Sequence, residues 1–173
     1  VEKDILDMIP LELQEAEKLR LDRRPDEAMR IVAKFMDYHF DFVPALLLAA
    51  NIQIDCERYG SAYVYCQRAC ELAPDESVCW NNLALCYEQA GQINDAEQVY
   101  KAGIARDPEE RTCRINYGLM LARHGRMQEA MDQLATALTP AEVQYNVGSV
   151  LEEQGKPEEA KACYRKALEL DPN

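Results

Sequence analysis

An all-α array of antiparallel helix pairs is the fold class that this 173-residue sequence predicts, on three observations. Small residues recur at a fixed step: Ala28, Ala62, Ala96 and Ala130 are spaced by 34 residues, and so are Ala16, Ala50, Ala84 and Gly118. A last copy, with Gly148 and Ala160, follows after a step of 30. A period in this range marks a stack of helical units, each of which buries its apolar face on its neighbours. Punctuation falls at matching places, with Gly91, Gly125 and Gly155 between paired segments and Pro74, Pro108, Pro140 and Pro172 near the repeat ends. Nowhere is the chain low in complexity, and no linker exceeds a few residues.

Residues 1–173 read as a single domain, with repeats at about 9–42, 43–76, 77–110, 111–140 and 141–173. Ile5, Leu6 and Ile9 suit a short amphipathic lead-in, and Pro10 can occupy the first turn of a helix, where its missing N–H costs little. From Leu11 to about Arg23 the set Leu13, Ala16, Leu19 and Leu21 predicts a helix. Pro25-Asp26-Glu27 then opens a second one, with Ala28, Ile31, Val32 and Phe35 inward. Phe35 stands where the other copies have Ala69, Gly103, Ala137 and Ala167, so close packing is not expected there. The second repeat pairs 44–56 with 60–73. It has Glu57 where Gly91, Gly125 and Gly155 stand, so its turn must avoid a left-handed residue or strain one, since only Gly adopts φ > 0 freely.

In the third repeat Trp80 and Tyr87 supply bulk, Ala84 and Ala96 allow close helix approach, and Pro108 stops the second helix. The fourth has Arg114 in place of the Trp, and its second helix, 127–138, meets Thr139-Pro140 early. Four residues are missing from the 34-residue step; at about 1.5 Å each, roughly 6 Å of helix or loop is lost. The array is expected to bend there without breaking. The fifth repeat opens its second helix with Pro157-Glu158-Glu159, proline and acids at the positive end of the dipole, and runs to Leu170.

The stretch Trp80-Asn81-Asn82-Leu83-Ala84-Leu85-Cys86-Tyr87, continued by Gly91, Ala96, Tyr100 and Asp107-Pro108, resembles the tetratricopeptide repeat signature. In that signature a Trp, a Leu, a small residue and a Tyr on one helix precede Ala, an aromatic residue and Pro on the next. The resemblance implies a right-handed α-solenoid of about five repeats and ten helices. It also implies a function, a scaffold or adaptor that binds a peptide segment of a partner in the concave groove lined by the first helices.

Composition removes several other classes. The net charge of −12 argues against nucleic acid as a partner, because sequence-independent binding needs Lys and Arg to displace phosphate counterions. Residues 111–140 are the locally basic exception, with Arg111, Arg114, Arg123 and Arg126 against Glu129 and Asp132. No run approaches the ~18–20 apolar residues of a membrane span. Seven cysteines, an odd number without small-domain spacing, predict reduced thiols that pack inside the array and a cytoplasmic setting. No secretory leader is visible. Cys66 and Cys70 lie one turn apart, but His39 and His124 are distant in sequence, so no metal is expected. No phosphate loop, nucleophile elbow or paired Cys-x-x-Cys occurs, which predicts no enzyme and no cofactor. The chain stops at a repeat end without a covering helix, which suggests a piece of a longer protein or an open end that another copy covers.

The candidate site is a ladder of amides. Asn82, Asn116 and Asn146 hold one register on the first helices of three successive repeats, and Asn51 lies three residues further along its own helix. A side-chain amide offers a donor and an acceptor, so it can pair with a peptide unit of any sequence. These asparagines resemble the ladder of the O-GlcNAc transferase superhelix, which grips peptide backbone. Groove neighbours by register are Leu47, Asn81, Leu85, Gln89, Ile115, Leu119, Arg123, Tyr145 and Ser149, with Arg123 placed to favour an acidic partner residue. The two-carboxylate clamp of chaperone adaptors needs cations at places that here read Leu13 and Glu17, then Leu48 and Asn51, then Asn82, then Thr112 and Asn116. Such a tail is therefore not the expected ligand. Three alternatives stand beside the scaffold: a self-assembling homo-oligomer through the last repeat, whose mass would change on dilution, the recruiting arm of a larger enzyme, or a component of a secretion or pilus assembly machine.

Overall fold

Helix boundaries in this chain are decided by prolines at the starts and by one turn repeated at the ends of the first helices. The computed structural model describes residues 9–172, and ten α-helices follow one another among them. These are α1 Leu11–Leu21, α2 Pro25–Met36, α3 Val43–Asp55, α4 Tyr59–Leu72, α5 Ser77–Gln89, α6 Ile93–Arg106, α7 Thr112–Arg123, α8 Met127–Ala135, α9 Pro140–Glu153 and α10 Pro157–Leu170. No strand occurs among the described residues, and the fold is an all-α solenoid. The lead-in expected at Ile5 and Leu6 lies outside the described residues. Pro25, Pro44, Pro140 and Pro157 each fall in the first two positions of a helix, where the fixed φ is an advantage and no N–H is needed.

The first helix of every repeat ends in the same hydrogen-bonded turn. In the third repeat the N–H of Gln92 donates to the Tyr87 carbonyl at 2.9 Å and that of Gly91 to Glu88 at 2.9 Å, the double bond of a Schellman C-cap. Equivalent pairs join Arg24 to Leu19, Arg58 to Gln53, Arg126 to Leu121 and Lys156 to Leu151. The motif requires a left-handed residue, and Gly91, Gly125 and Gly155 supply it at φ +75, +78 and +72°. Glu57 takes the same conformation at φ +58°, so the second turn is strained rather than avoided, and Arg23 does likewise in the first. The Arg23 turn also explains why α1 ends at Leu21 and not near Arg23.

The described residues form two compact units, one through Arg106 and one from Asp107. Within the first, each helix packs on the next, and α1 also packs on α3 and α3 on α5, whereas the backbones of α2, α4 and α6 do not approach one another closely. First helices are therefore closer together than second helices, and they form the inner layer of this unit. Two patches of its core stand out. Leu13, Ala28, Val32, Leu48 and Ile52 fill one, and Leu46, Cys66, Cys70, Cys79, Leu83 and Cys86 fill the other. Phe35 packs against the first of these patches. Half-buried, it stacks on His39 and Phe42, with ring centroids 4.6 and 5.6 Å apart.

In the second unit α7 packs on α8 and α9, and α9 on α8 and α10. Here glycine permits the closest approach. A Cβ on Gly118 would lie 2.7 Å from Leu134 Cγ, and one on Gly148 2.7 Å from Tyr164 Cε1. The shortfall of the fourth repeat is taken up by α8, which has 9 residues and ends at Ala135 instead of the expected Leu138; α6 and α10 have 14 each. Two devices close the truncated end. The Arg111 Nε–H donates to the Ala137 carbonyl at 2.6 Å, and Thr139 and Glu142 form a reciprocal capping box at the start of α9.

All seven cysteines are free thiols; five are buried, and Cys56 and Cys163 are half-buried. Burial pushes Cys79 up to about 11 and Cys113 up to about 12. No helix among the described residues is long and apolar enough to cross a membrane.

Candidate peptide-binding face

On α1, Leu13, Gln14 and Glu17 share one face, and on α3 so do Pro44, Leu47, Leu48 and Asn51, because residues three and four apart are neighbours on a helix. Since α1 packs directly on α3, the two faces meet, and together with Ile9 they line a cavity of about 410 Å³. Leu13 is 1% exposed and Leu48 8%, so these two side chains are floor. Gln14, Glu17 and Asn51 supply the polar edge. The Glu17 carboxylate is bridged by Arg20 at 2.7 Å, a contact that holds it in place on the α1 surface. An apolar floor with a few oriented polar groups is the usual make-up of a ligand site.

Asn51 connects this cavity to the amide ladder. The Asn82 Nδ2 donates to Asn51 Oδ1 at 2.8 Å, and the Asn81 Nδ2 donates to Asn82 Oδ1 at 3.3 Å. Asn82 is 7% exposed, so its hydrogen bonds are internal to the first unit. The Asn51 Nδ2 takes no part in these bonds, and Asn51 is only half-buried. Gln89 is exposed on the last turn of α5.

The remaining ladder residues belong to the second unit and have other surroundings. The Asn146 Nδ2 donates back to the Glu142 carbonyl of its own helix at 2.8 Å. Asn116 is half-buried on α7. Ile115 packs against the cluster of Leu134, Val143 and Val147. The Arg123 carbonyl accepts from Gln154 Nε2 at 2.9 Å. Tyr145 is 62% exposed, and its ring lies 5.6 Å from that of Tyr164. Tyr164 donates its hydroxyl to Glu152 at 2.8 Å. The bond to Glu152 pushes that hydroxyl up to about 12, with Ser149 acting in the opposite sense. Asn82 and Asn146, of one register, thus have different partners. Sequence register places residues on a helix face, but partners depend on the neighbouring helix. Repeat register does not place Gln14, Pro44 or Ile9 at the site; the signal available is the i, i+3 spacing of Gln14 with Glu17, the i, i+3 and i+7 spacing of Pro44 with Leu47 and Asn51, and the i, i+4 spacing of Ile9 with Leu13.

Among the described residues no group of three or more His, Cys, Asp or Glu side chains is placed to hold a metal.

Profiles of the tetratricopeptide repeat match residues 43–76, 81–145 and 141–173. The chain belongs to the tetratricopeptide repeat family. It is 32% identical over 130 residues to the human protein Tetratricopeptide repeat protein 7A, a match that covers 72% of this chain. The chain spans 15% of that relative's length. Among solved structures, TTC0263, a thermophilic protein of the family from Thermus thermophilus, superposes with a TM-score of 0.74 at 21% identity, covering 94% of this chain and 91% of that one. MamA does so at 0.69 and 19% identity over 91% and 94%. YrrB, described as having an unusual peptide-binding site, gives 0.63 and 20% identity over 94% and 86%.

Proposed function

We propose that this chain is a non-catalytic interaction scaffold of the reducing cytoplasm, and that it holds an extended segment of a protein partner on its layer of first helices. The observation that carries this reading is the cavity between α1 and α3, apolar at Leu13 and Leu48 and edged by Asn51. An apolar side chain of the partner enters the cavity, and the Asn51 amide pairs with the adjoining peptide unit. Asn82 holds Asn51 from behind, so its role is to orient the amide and not to meet the partner. In the second unit Asn116, Arg123, Tyr145, Asn146 and Ser149 are candidates for a binding face of that unit, on which Arg123 favours an acidic residue. The peptide-binding site described for YrrB is in keeping with this use of the fold.

The test uses peptides selected from a display library against the whole chain, with affinity read by fluorescence anisotropy. A hydrogen bond lost with its partner group left buried costs about 1–3 kcal/mol, so Asn51→Ala should weaken binding roughly 5- to 150-fold. Leu47→Ser should weaken it as well, with the helical circular dichroism retained. Unchanged affinity in both variants would move the binding surface elsewhere.

The proposal takes residues 1–173 as one domain. Limited proteolysis should leave the chain uncut inside it; a stable fragment released by cleavage near Asp107 or Thr139 contradicts that.

A further inference from the structure

A second cavity in the first unit lies apart from the groove. Tyr59, Gly60, Tyr63, Cys86, Tyr87, Ala90 and Gln92 line about 370 Å³ at the end where α5 turns toward α6. Tyr59 and Tyr63 are one helical turn apart on α4, so their side chains share a face, and Tyr87 comes from the adjacent α5. The Tyr63 and Tyr87 rings meet edge to face, with centroids 5.4 Å apart and planes at 80°. Their hydroxyls are 3.3 Å apart and share a hydrogen bond, which fixes the two rings as perpendicular walls. Gly60 leaves the remaining side open, for a Cβ there would meet nothing within 4 Å.

Among the described residues neither Lys nor Arg lines this cavity. The charges that act on its tyrosines are acidic, Glu57 on Tyr59 and Asp95 on Tyr87. The hydrogen bond to Tyr63, with burial and Asp95 adding to it, pushes the Tyr87 hydroxyl up to about 12, so the phenol stays neutral at physiological pH. Neutral aromatic faces carry negative charge density and attract an organic cation set against them. Two fixed perpendicular rings, a third tyrosine and a surrounding negative field leave a space that suits a basic group better than an apolar or anionic one.

We propose that this tyrosine cavity is a binding site for a basic side chain of a partner protein, an alkylammonium or guanidinium group seated against Tyr63, Tyr87 and Tyr59. The site is on α4 and α5 and does not depend on the groove between α1 and α3.

The experiment follows the ring resonances of Tyr59, Tyr63 and Tyr87 by NMR while the whole chain is titrated with capped lysine, trimethyllysine or arginine amides. Capped norleucine amide is the neutral control. Shifts with the cations and none with norleucine at equal concentration are expected, and the cation that shifts the rings at the lowest concentration identifies the group recognised. Gly60→Leu adds bulk at the cavity from a position whose Cβ meets nothing within 4 Å, and it should abolish the shifts while leaving the melting temperature unchanged or higher. Tyr63→Leu removes one wall and should weaken binding roughly 2- to 30-fold, whereas Tyr87→Phe keeps its ring face and should retain it. Charge removal by Glu57→Gln with Asp95→Asn should weaken it in low salt. Equal shifts with norleucine, no shift with any cation, or cation shifts that survive Gly60→Leu would each overturn the proposal.

Discussion

Glycine serves the second unit in two ways that the first unit largely does without. At the small site of the first helix, Gly118 and Gly148 stand where the first unit has Ala16, Ala50 and Ala84. At the turn, Gly125 and Gly155 stand where the first two repeats have Arg23 and Glu57. The two kinds of glycine answer different demands. Gly118 and Gly148 are needed for space, because a Cβ would press on the Leu134 and Tyr164 side chains. Gly125 and Gly155 have open space around them but hold φ near +75°. The turn can be built without glycine at a local cost, since its backbone bonds in the first two repeats are the same as in the others. A crowded helix contact offers no such tolerance.

The largest effect is therefore expected at the helix contact. Gly118→Ala and Gly148→Ala should each destabilise by about 1–3 kcal/mol, the usual range for overpacking, read as a drop in the denaturant midpoint. A loss no greater than that of the turn variants would show that Leu134 and Tyr164 move aside freely. The next effect is at the turns. Gly155→Ala should cost about 1–2 kcal/mol, and Glu57→Gly should return a similar or smaller amount, since it relieves the same conformation. If Glu57→Gly destabilises instead, the first two turns owe their stability to the side chain and the comparison fails.

Smallest at neutral pH is the effect of the buried thiols. Cys79 and Cys113 titrate above their ordinary range when folded, at about 11 and 12, because burial disfavours the thiolate. The unfolded chain then loses these protons first. Their contribution to stability is complete below the ordinary thiol pKa of about 8.5, and it is lost as pH rises from there through the folded values. Melting temperatures should be flat up to about pH 8 and fall above it, and a thiol reagent at pH 7 should reach Cys56 and Cys163 ahead of the other five. Rapid modification of five or more would contradict the packing.

The parts of this fold that were legible in the sequence are those that one residue type satisfies alone. Small residues at helix contacts and prolines at helix starts meet steric demands that any neighbour would impose, so a 34-residue step and the starts at Pro25, Pro44 and Pro157 could be read directly, whereas Pro140, read as the end of the fourth repeat, opens α9. Arg23 gave no sign of a left-handed turn, because the backbone bonds that hold it there are made by residues of ordinary type. The end of α8 was placed three residues too far along because Ala137 and Leu138 continue the helical pattern; the Arg111 bond to Ala137 and the Thr139 cap that end it are tertiary and local facts, respectively. For the candidate site, register alone could name Asn51, Asn82 and Leu47. It could not show that Asn82 turns inward to Asn51, which follows from Leu48 occupying the ladder position of the preceding repeat.

The central claim is that the inner layer formed by α1 and α3 receives the partner, and amide chemical-shift mapping of the whole chain with a selected peptide tests it most directly. The largest shifts should fall at Leu13, Leu47, Leu48 and Asn51, with α2 and α4 little affected. Shifts concentrated on α2 and α4 while those four residues stay unmoved would contradict it.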